Sequence, residues 1–281
     1  VPNVTSPQPK IVFLDVDGTF ADHGVVPPGH VAAVRAARAA GHRVLLCTGR
    51  PMSMLPEHIL GVGFDGVVAS AGGWVEVDGQ VLRDQRFPAD VAAHVVEVLD
   101  AHDAAYVLEA PRALYGRPGV DERLRRLLAG HVRDPETGDA RPPSILAGLE
   151  MRDDLASCSF AKVTFFDSRT PWHELGAELG PEVGILPSSV AARGESSGEV
   201  YLAGVHKAVG IEAVTAHLGL AREDVIAFGD GMNDVEMLEH AGVGVAIEGA
   251  DPQVLAAADR VAAGPQHEGL VPAFRDLGLI P

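Results

Sequence analysis

Ile11-Val12-Phe13-Leu14-Asp15-Val16-Asp17-Gly18-Thr19 decides the reading of this 281-residue chain. Four consecutive apolar residues make the kind of block that forms a buried strand. Two carboxylates follow at its end, then Gly-Thr. In extended backbone, residues i and i+2 point the same way, so Asp15 and Asp17 are expected to converge on one small volume. Like charges held that close raise each other's pKa unless a counter-charge lies between them. A hard divalent cation with oxygen ligands, such as Mg2+, fits that place. Alone, the motif competes with an ordinary Asp/Gly turn.

Working outward, strands and helices alternate. Residues 11–15 read as a strand, 30–40 as a helix stopped by Gly41, 43–48 as a strand, 51–60 as a short helix and 67–70 as a strand. Trp74-Val75-Glu76-Val77 alternates, Asp78-Gly79 turns and Gln80-Val81-Leu82 returns, which is a hairpin pattern. Alternation resumes late in the chain: helix 207–218, strand 225–228, helix 234–241, strand 243–247, helix 252–258 and strand 260–262. Helices between strands imply parallel pairing and right-handed crossovers, so both runs are expected to share one doubly wound α/β sheet. The middle reads differently: helix 88–102, strand 104–108, helix 120–128, a Pro/Gly-rich loop over 133–147, strand 160–166, helix 172–179, strand 183–186 and a polar loop over 191–198. The expected organisation is a core of residues 1–82 and 201–281 carrying an α+β insertion of residues 83–200.

Composition bounds the function. The net charge of −17 should repel nucleic acid and anionic membranes. The sequence has no apolar run of 18 residues, so no membrane span is expected. Residues 1–10 are polar and Pro-rich, without a signal-peptide pattern, and read as a loose tail; Asn3-Val4-Thr5 there is taken as a chance sequon. Two cysteines, Cys47 and Cys158, are too few for a disulfide framework, and Cys47 reads as a core thiol; a cytoplasmic location fits. An anionic substrate would need a local positive site, which directs attention to Lys207, one of three lysines.

Three further motifs sit at strand ends or helix starts. Cys47-Thr48-Gly49-Arg50 follows a strand; the Thr48 hydroxyl beside Gly49 can bind a phosphate oxygen or cap a helix. His206-Lys207 opens a helix, where Lys207 can neutralise a carboxylate and a phosphate together or stand exposed; His206 reads as solvent-facing. Gly229-Asp230-Gly231-Met232-Asn233-Asp234 follows Val225-Ile226-Ala227-Phe228, and two acids and an amide directly after a buried strand are more than a turn requires. Gly61-Val62-Gly63-Phe64-Asp65-Gly66 fits G-x-G-x-x-G but precedes a strand, the wrong order for dinucleotide binding. The histidines show no zinc spacing.

D-x-D-G-T, T-G-R, Lys and G-D-G-x-N-D, in this order and context, resemble the haloacid dehalogenase superfamily of phosphohydrolases over residues 10–82 and 200–281. The insertion between the second and third motifs looks like the type IIB cap of the Cof-like phosphatases. The resemblance implies a Mg2+-dependent phosphatase acting on a small phosphorylated metabolite. Asp15 would be the nucleophile forming an aspartyl-phosphate, and Asp17 the general acid and base. Mg2+ would be held by Asp15, the main-chain carbonyl of Asp17, and Asp230. Asp234 would orient Lys207 or a metal-bound water. Thr48, Gly49, Lys207 and Asn233 would hold the phosphoryl oxygens. The chain departs from the pattern at Ser70-Ala71-Gly72-Gly73, where relatives often carry Asn-Gly, and at His206 and Ala208, where smaller residues are usual. Cap contacts to the leaving group are expected in 109–116 or 188–195. A phosphomutase using the same intermediate and a non-catalytic binding module are the alternatives, and a monomer or homodimer is expected.

Overall fold

Every residue of the strand Ile11–Leu14 is buried, as expected where both faces of a parallel sheet are covered. The computed structural model describes residues 9–129, 144–188 and 194–281. Residues 1–8 of the expected tail over 1–10, residues 130–143 with most of the expected loop over 133–147, and residues 189–193 with the start of the expected loop over 191–198 lie outside the described residues. The chain divides into two units: Val1–Gly49, Pro56–Arg83 and His206–Pro281 form one; Arg50–Leu55 and Asp84–Val205 form the other.

The first unit holds β1 (Ile11–Leu14), α1 (Pro28–Ala39), β2 (Arg43–Cys47), α2 (Glu57–Leu60), β3 (Gly66–Ala69), β4 (Trp74–Val77) and β5 (Gln80–Asp84). The chain then builds α3 (Ala89–Ala101), β6 (Ala105–Ala110), β7 (Ala113–Gly116), α4 (Val120–Leu128), β8 (Leu149–Met151), β9 (Lys162–Phe166), α5 (Trp172–Leu179), β10 (Val183–Pro187) and β11 (Gly198–Leu202) in the second unit. It returns to the first with α6 (Lys207–Leu218), β12 (Val225–Gly229), α7 (Val235–His240), β13 (Val243–Ile247), α8 (Pro252–Ala257), β14 (Arg260–Ala262) and α9 (Leu270–Asp276).

The first unit's sheet has the order β14-β13-β12-β1-β2-β3-β4-β5. It is parallel from β14 to β3, and β4 joins antiparallel to β3. From β1 the chain winds outward one way through β2 and β3, and later the other way through β12 to β14. The order therefore reverses beside β1, and ligands of open α/β sheets bind at the strands' carboxyl ends near such a reversal. Register sets the alignment there: Leu14 pairs with Phe228 on one side and Leu46 on the other. Asp15, Thr48 and Asp230 consequently emerge at the same sheet edge. One face packs the apolar sides of α6, α7 and α8 against Phe13, Leu45, Val68 and Ala227. Helix α1 packs on α9, fastened by His30, whose Nδ1 lies 2.9 Å from the Phe20 carbonyl and whose Nε2 accepts from the Leu270 amide.

The second unit is a six-stranded sheet of order β10-β11-β9-β6-β7-β8. Helices α3 and α5 bury Val95, Leu99, Leu175 and Leu179 on one face with Val163, Phe165 and Val200. Helix α4 buries Leu124 and Leu128 with Val107 and Phe166 on the other.

Several boundaries differ from the sequence reading. The helix expected over 51–60 is split: a single 3-10 turn spans Met52–Met54, and Pro56, which has no N–H to donate, forces a new start at α2. Residues 50–55 belong with the second unit, and the late boundary falls after Val205 rather than after residue 200. Strands β7 and β8, and helix α9, were not anticipated; β11 takes the end of the expected polar loop.

Candidate active site

Each functional side chain is placed by the element that precedes or follows it. Asp15 leaves β1 with its amide donating to the Phe228 carbonyl at 3.0 Å, which fixes it beside the end of β12. Lys207 is the first residue of α6, and Asp234 precedes the first residue of α7. The Lys207 ammonium donates to Asp15 Oδ1 and to Asp234 Oδ1, both at 2.5 Å. Lys207 and Asp234 are wholly inaccessible to solvent, and Asp15 is 7% exposed. The other oxygen of Asp234 accepts from the amides of Asp230 and Gly231 at 3.1 and 2.9 Å. Asp234 is thus held on both oxygens and acts as a brace for Lys207.

Asp230 is oriented by Thr19, whose hydroxyl donates to its Oδ1 at 2.7 Å. Gly18, with φ +85°, passes so close to this carboxylate that a Cβ there would overlap its other oxygen. Only glycine meets both conditions, positive φ and no side chain. The role of Thr19 went unassigned in the sequence, although it closes the D-x-D-G-T motif; its signal was a hydroxyl four residues past Asp15, on the loop facing the second acidic motif.

Carboxylate oxygens of Asp15, Asp230 and Asp234 all lie within 4.8 Å of one another. Three acids around one ammonium leave an excess of negative charge. Burial, then repulsion from Asp234 and Asp230, raises the Asp15 pKa well above its ordinary value, against the opposing pull of Lys207. Burial also lifts Asp230 to about 6, with Thr19 opposing and Asp234 adding to the rise. Burial works against the charge on Lys207, but Asp15 and Asp234 together outweigh it and raise its pKa. An all-oxygen donor set with surplus negative charge suits a hard divalent cation. Among the described residues, Oδ2 of Asp15 and of Asp230 take no part in the hydrogen bonds that fix these side chains, whereas both oxygens of Asp234 are engaged.

Asp17 is exposed and outside this three-carboxylate group. Strand β1 ends at Leu14, so the strand alternation that was expected to aim Asp17 alongside Asp15 does not extend to it. What the resemblance asks of Asp17 toward a metal is its main-chain carbonyl. Thr48 is buried after β2, with its amide on the Val68 carbonyl and its own carbonyl on the Ala71 amide. Asn233 lies against Gly49: its Nδ2 is 3.1 Å from where a Cβ on Gly49 would stand. Asp15, Thr48, Gly49, Lys207, Asp230, Asn233 and Asp234 therefore all belong to the first unit and to the ends of β1, β2 and β12 or the start of α6. His206, expected in solvent, is half-buried, and its enclosed Nδ1 has no hydrogen-bond partner among the described residues. Cys47 is a buried free thiol, its pKa raised by burial. Among the described residues no helix is long and apolar enough to cross a membrane.

Residues 12–274 match the family of haloacid dehalogenase-like hydrolases. YkrA of Bacillus subtilis (strain 168) is 27% identical over 278 residues, covering 96% of this chain and 98% of that protein. The 5-amino-6-(5-phospho-D-ribitylamino)uracil phosphatase YbjI of Escherichia coli (strain K12) is 26% identical over 273 residues, 93% of each chain. The solved structure of the subclass IIB sugar phosphatase BT4131 superposes with a TM-score of 0.77 at 22% identity, covering 96% of this chain and all of that one; this likeness is one of fold. A match across nearly the whole chain joins the reversed sheet order and the lysine between two acids, and on that ground the protein belongs to the haloacid dehalogenase-like hydrolases of Cof type and is a phosphatase.

Proposed function

We propose that the protein hydrolyses a phosphate monoester of a small metabolite, with a sugar- or polyol-phosphate as the substrate class, through an aspartyl-phosphate on Asp15. The observation that carries the reading is the buried Lys207 held at 2.5 Å by both Asp15 and Asp234. This lysine fixes one oxygen of Asp15 and leaves the other to attack phosphorus. The bond from phosphorus to the ester oxygen breaks as the new bond to Asp15 forms. Asp17 delivers the proton to the leaving alkoxide, then takes one from the water that attacks phosphorus in the second step. Inorganic phosphate leaves and the Asp15 carboxylate is regenerated.

Catalysis in this reading is positioning and charge stabilisation. Lys207, the Thr48 hydroxyl, Gly49 and Asn233 hold the phosphoryl oxygens, and Thr19 and Gly18 keep Asp230 in place. Mg2+, with Asp15, the Asp17 carbonyl and Asp230 as its protein ligands, would supply the positive charge that the acidic cluster lacks. The substrate class draws on the phosphoribityl compound and the sugar phosphate in the names of the two phosphatases similar to this chain. Two free cysteines fit a reducing cytoplasm.

The test is inorganic phosphate release from a panel of sugar, polyol and nucleotide monophosphates, with and without Mg2+. Mg2+-dependent release from the sugar and polyol members is expected. An isomerised sugar phosphate without free phosphate would replace this reading by a phosphomutase, and binding without turnover by a non-catalytic module.

A further inference from the structure

Helix α6 carries Lys207 at its first turn and a glycine at its fourth position, Gly210. Glycine inside a helix is less favourable than alanine, so its presence asks for a packing reason. A Cβ on Gly210 would overlap Cγ1 of Val68 on β3, and would stand 3.5 Å from the Val68 Cβ and 3.2 Å from the Gly72 Cα. Val68 is buried and β-branched, with little freedom to move aside. Gly72 meets the same turn of the helix. It has φ +100°, and a Cβ there would run into the carbonyl of His206, the residue before Lys207, and lie 3.4 Å from the Gly210 amide. The turn carrying Gly72 is strained: Ser70 and Ala71 also have positive φ, +49° and +52°. The same turn is tied to the site, since the Ala71 amide donates to the Thr48 carbonyl at 3.0 Å.

We infer that Gly72 and Gly210 form a backbone seat that sets the depth of the first turn of α6, and are positioning residues for Lys207. The seat lets helix backbone rest directly on β3 and on the turn after it. Any side chain at either glycine lifts the turn and draws the Lys207 ammonium away from Asp15 and Asp234. This rests on the proposed phosphatase reading for its kinetic consequence, not for its geometry.

The experiment compares wild type, Gly210→Ala, and Gly210→Ala with Val68→Ala, in the full chain with Mg2+ and 4-nitrophenyl phosphate. Melting temperature and crystal structures accompany the kinetics. Gly210→Ala should keep its fold and lose kcat by about 100-fold, the scale of an ångström's misplacement of a catalytic group, with Lys207 displaced from both carboxylates. Val68→Ala in the same chain removes the obstructing methyl and should restore most of the rate and both distances. If Gly210→Ala does not fold, a folded and active double variant supports the seat, and failure of both overturns it. Wild-type kcat in Gly210→Ala, or a loss that Val68→Ala does not recover while the Lys207 distances stay unchanged, overturns it as well. A wild type that turns over no phosphate ester sinks the phosphatase reading instead, and the seat then stands or falls on the Lys207 distances in the variant structures.

Discussion

Each unit buries a lysine between two carboxylates, and the two sets differ in what surrounds them. In the first unit Lys207 bridges Asp15 and Asp234 at the open carboxyl edge of a parallel sheet, and a third acid, Asp230, shares the volume. In the second unit Lys162 lies 3.0 Å from Glu199 and 3.4 Å from Glu109, within three antiparallel strands. There Glu109 pairs across strands with Lys162, and Glu199 with Thr164. The Thr164 hydroxyl donates to Glu109 Oε1 at 2.5 Å. Burial raises the Glu109 pKa against the pull of Lys162, and burial is outweighed at Lys162, whose pKa rises because of both glutamates. The second set is built into the pairing of its strands, so it specifies register. The first leaves acid oxygens uncommitted at a sheet edge, so it has chemistry to offer. Burial and ion pairing alone do not separate the two; position on the sheet and the count of acids do.

That contrast breaks most visibly by replacing each lysine with methionine. Lys207→Met is expected to cost roughly 10³-fold in kcat on an aryl phosphate, by analogy with loss of a transition-state charge partner. Lys162→Met should instead act on folding, lowering stability by about 3–5 kcal/mol because it strands two buried glutamates. Chemical denaturation and steady-state kinetics on both variants check the pair. Equal effects of both on kcat, at temperatures where both are folded, would erase the distinction.

Asp230→Asn sharpens it. At pH 7 Asp230, with its pKa lifted to about 6, is charged and repelled by its neighbours. Neutralising it should stabilise the metal-free protein by about 2 kcal/mol while activity falls. A thermal shift on adding Mg2+ is expected in the wild type and should be absent in the variant. Because the raised pKa lets Asp230 hold its proton to higher pH than in the unfolded chain, the metal-free wild type should lose stability as pH rises from about 4 through about 6. The variant should lose less over the same range, keeping only the part of the loss that belongs to Asp15, whose pKa is also raised. A series of melting temperatures against pH would show this.

His30 gives a smaller effect of opposite sign. Burial lowers its pKa, and the Leu270 amide already donates to Nε2, so protonation would set two donors against each other. Its contribution to stability is full above the unfolded pKa of 6.5 and is lost as pH falls toward the lowered folded value. Replacing His30 with glutamine should flatten that acid limb without altering phosphate release at pH 7.5.

Much of the first unit was legible because its strands are short apolar blocks ending in acids, threonine or glycine, and each motif declared the sheet edge it belongs to. The second unit was harder. Strand β11 hides Glu199 in its interior, and a buried acid reads as a loop residue until Lys162 is known to lie opposite. Helix α9 carries Pro272, which reads as a breaker although it falls in the first turn, where no intrahelical amide bond is lost. Strands β7 and β8 are short, and nothing in their sequence alone marks the pairing that defines them. Within the candidate site, Asp15, Asp230, Asp234 and Lys207 stand in motifs that the sequence displays, and the fold brings them together. The link from Thr19 to Asp230 and the seat at Gly72 and Gly210 did not, because both are contacts between segments about 140 to 210 residues apart that only the folded register brings together.

The central claim is that Asp15 takes up the phosphoryl group. The most direct test quenches the protein with acid while it turns over 4-nitrophenyl phosphate with Mg2+, then determines the mass of the peptide bearing Asp15. A phosphate group on Asp15, released by hydroxylamine and absent from Asp15→Asn, is the expected result. Phosphate release that continues in Asp15→Asn, or an adduct carried by another residue, would contradict it.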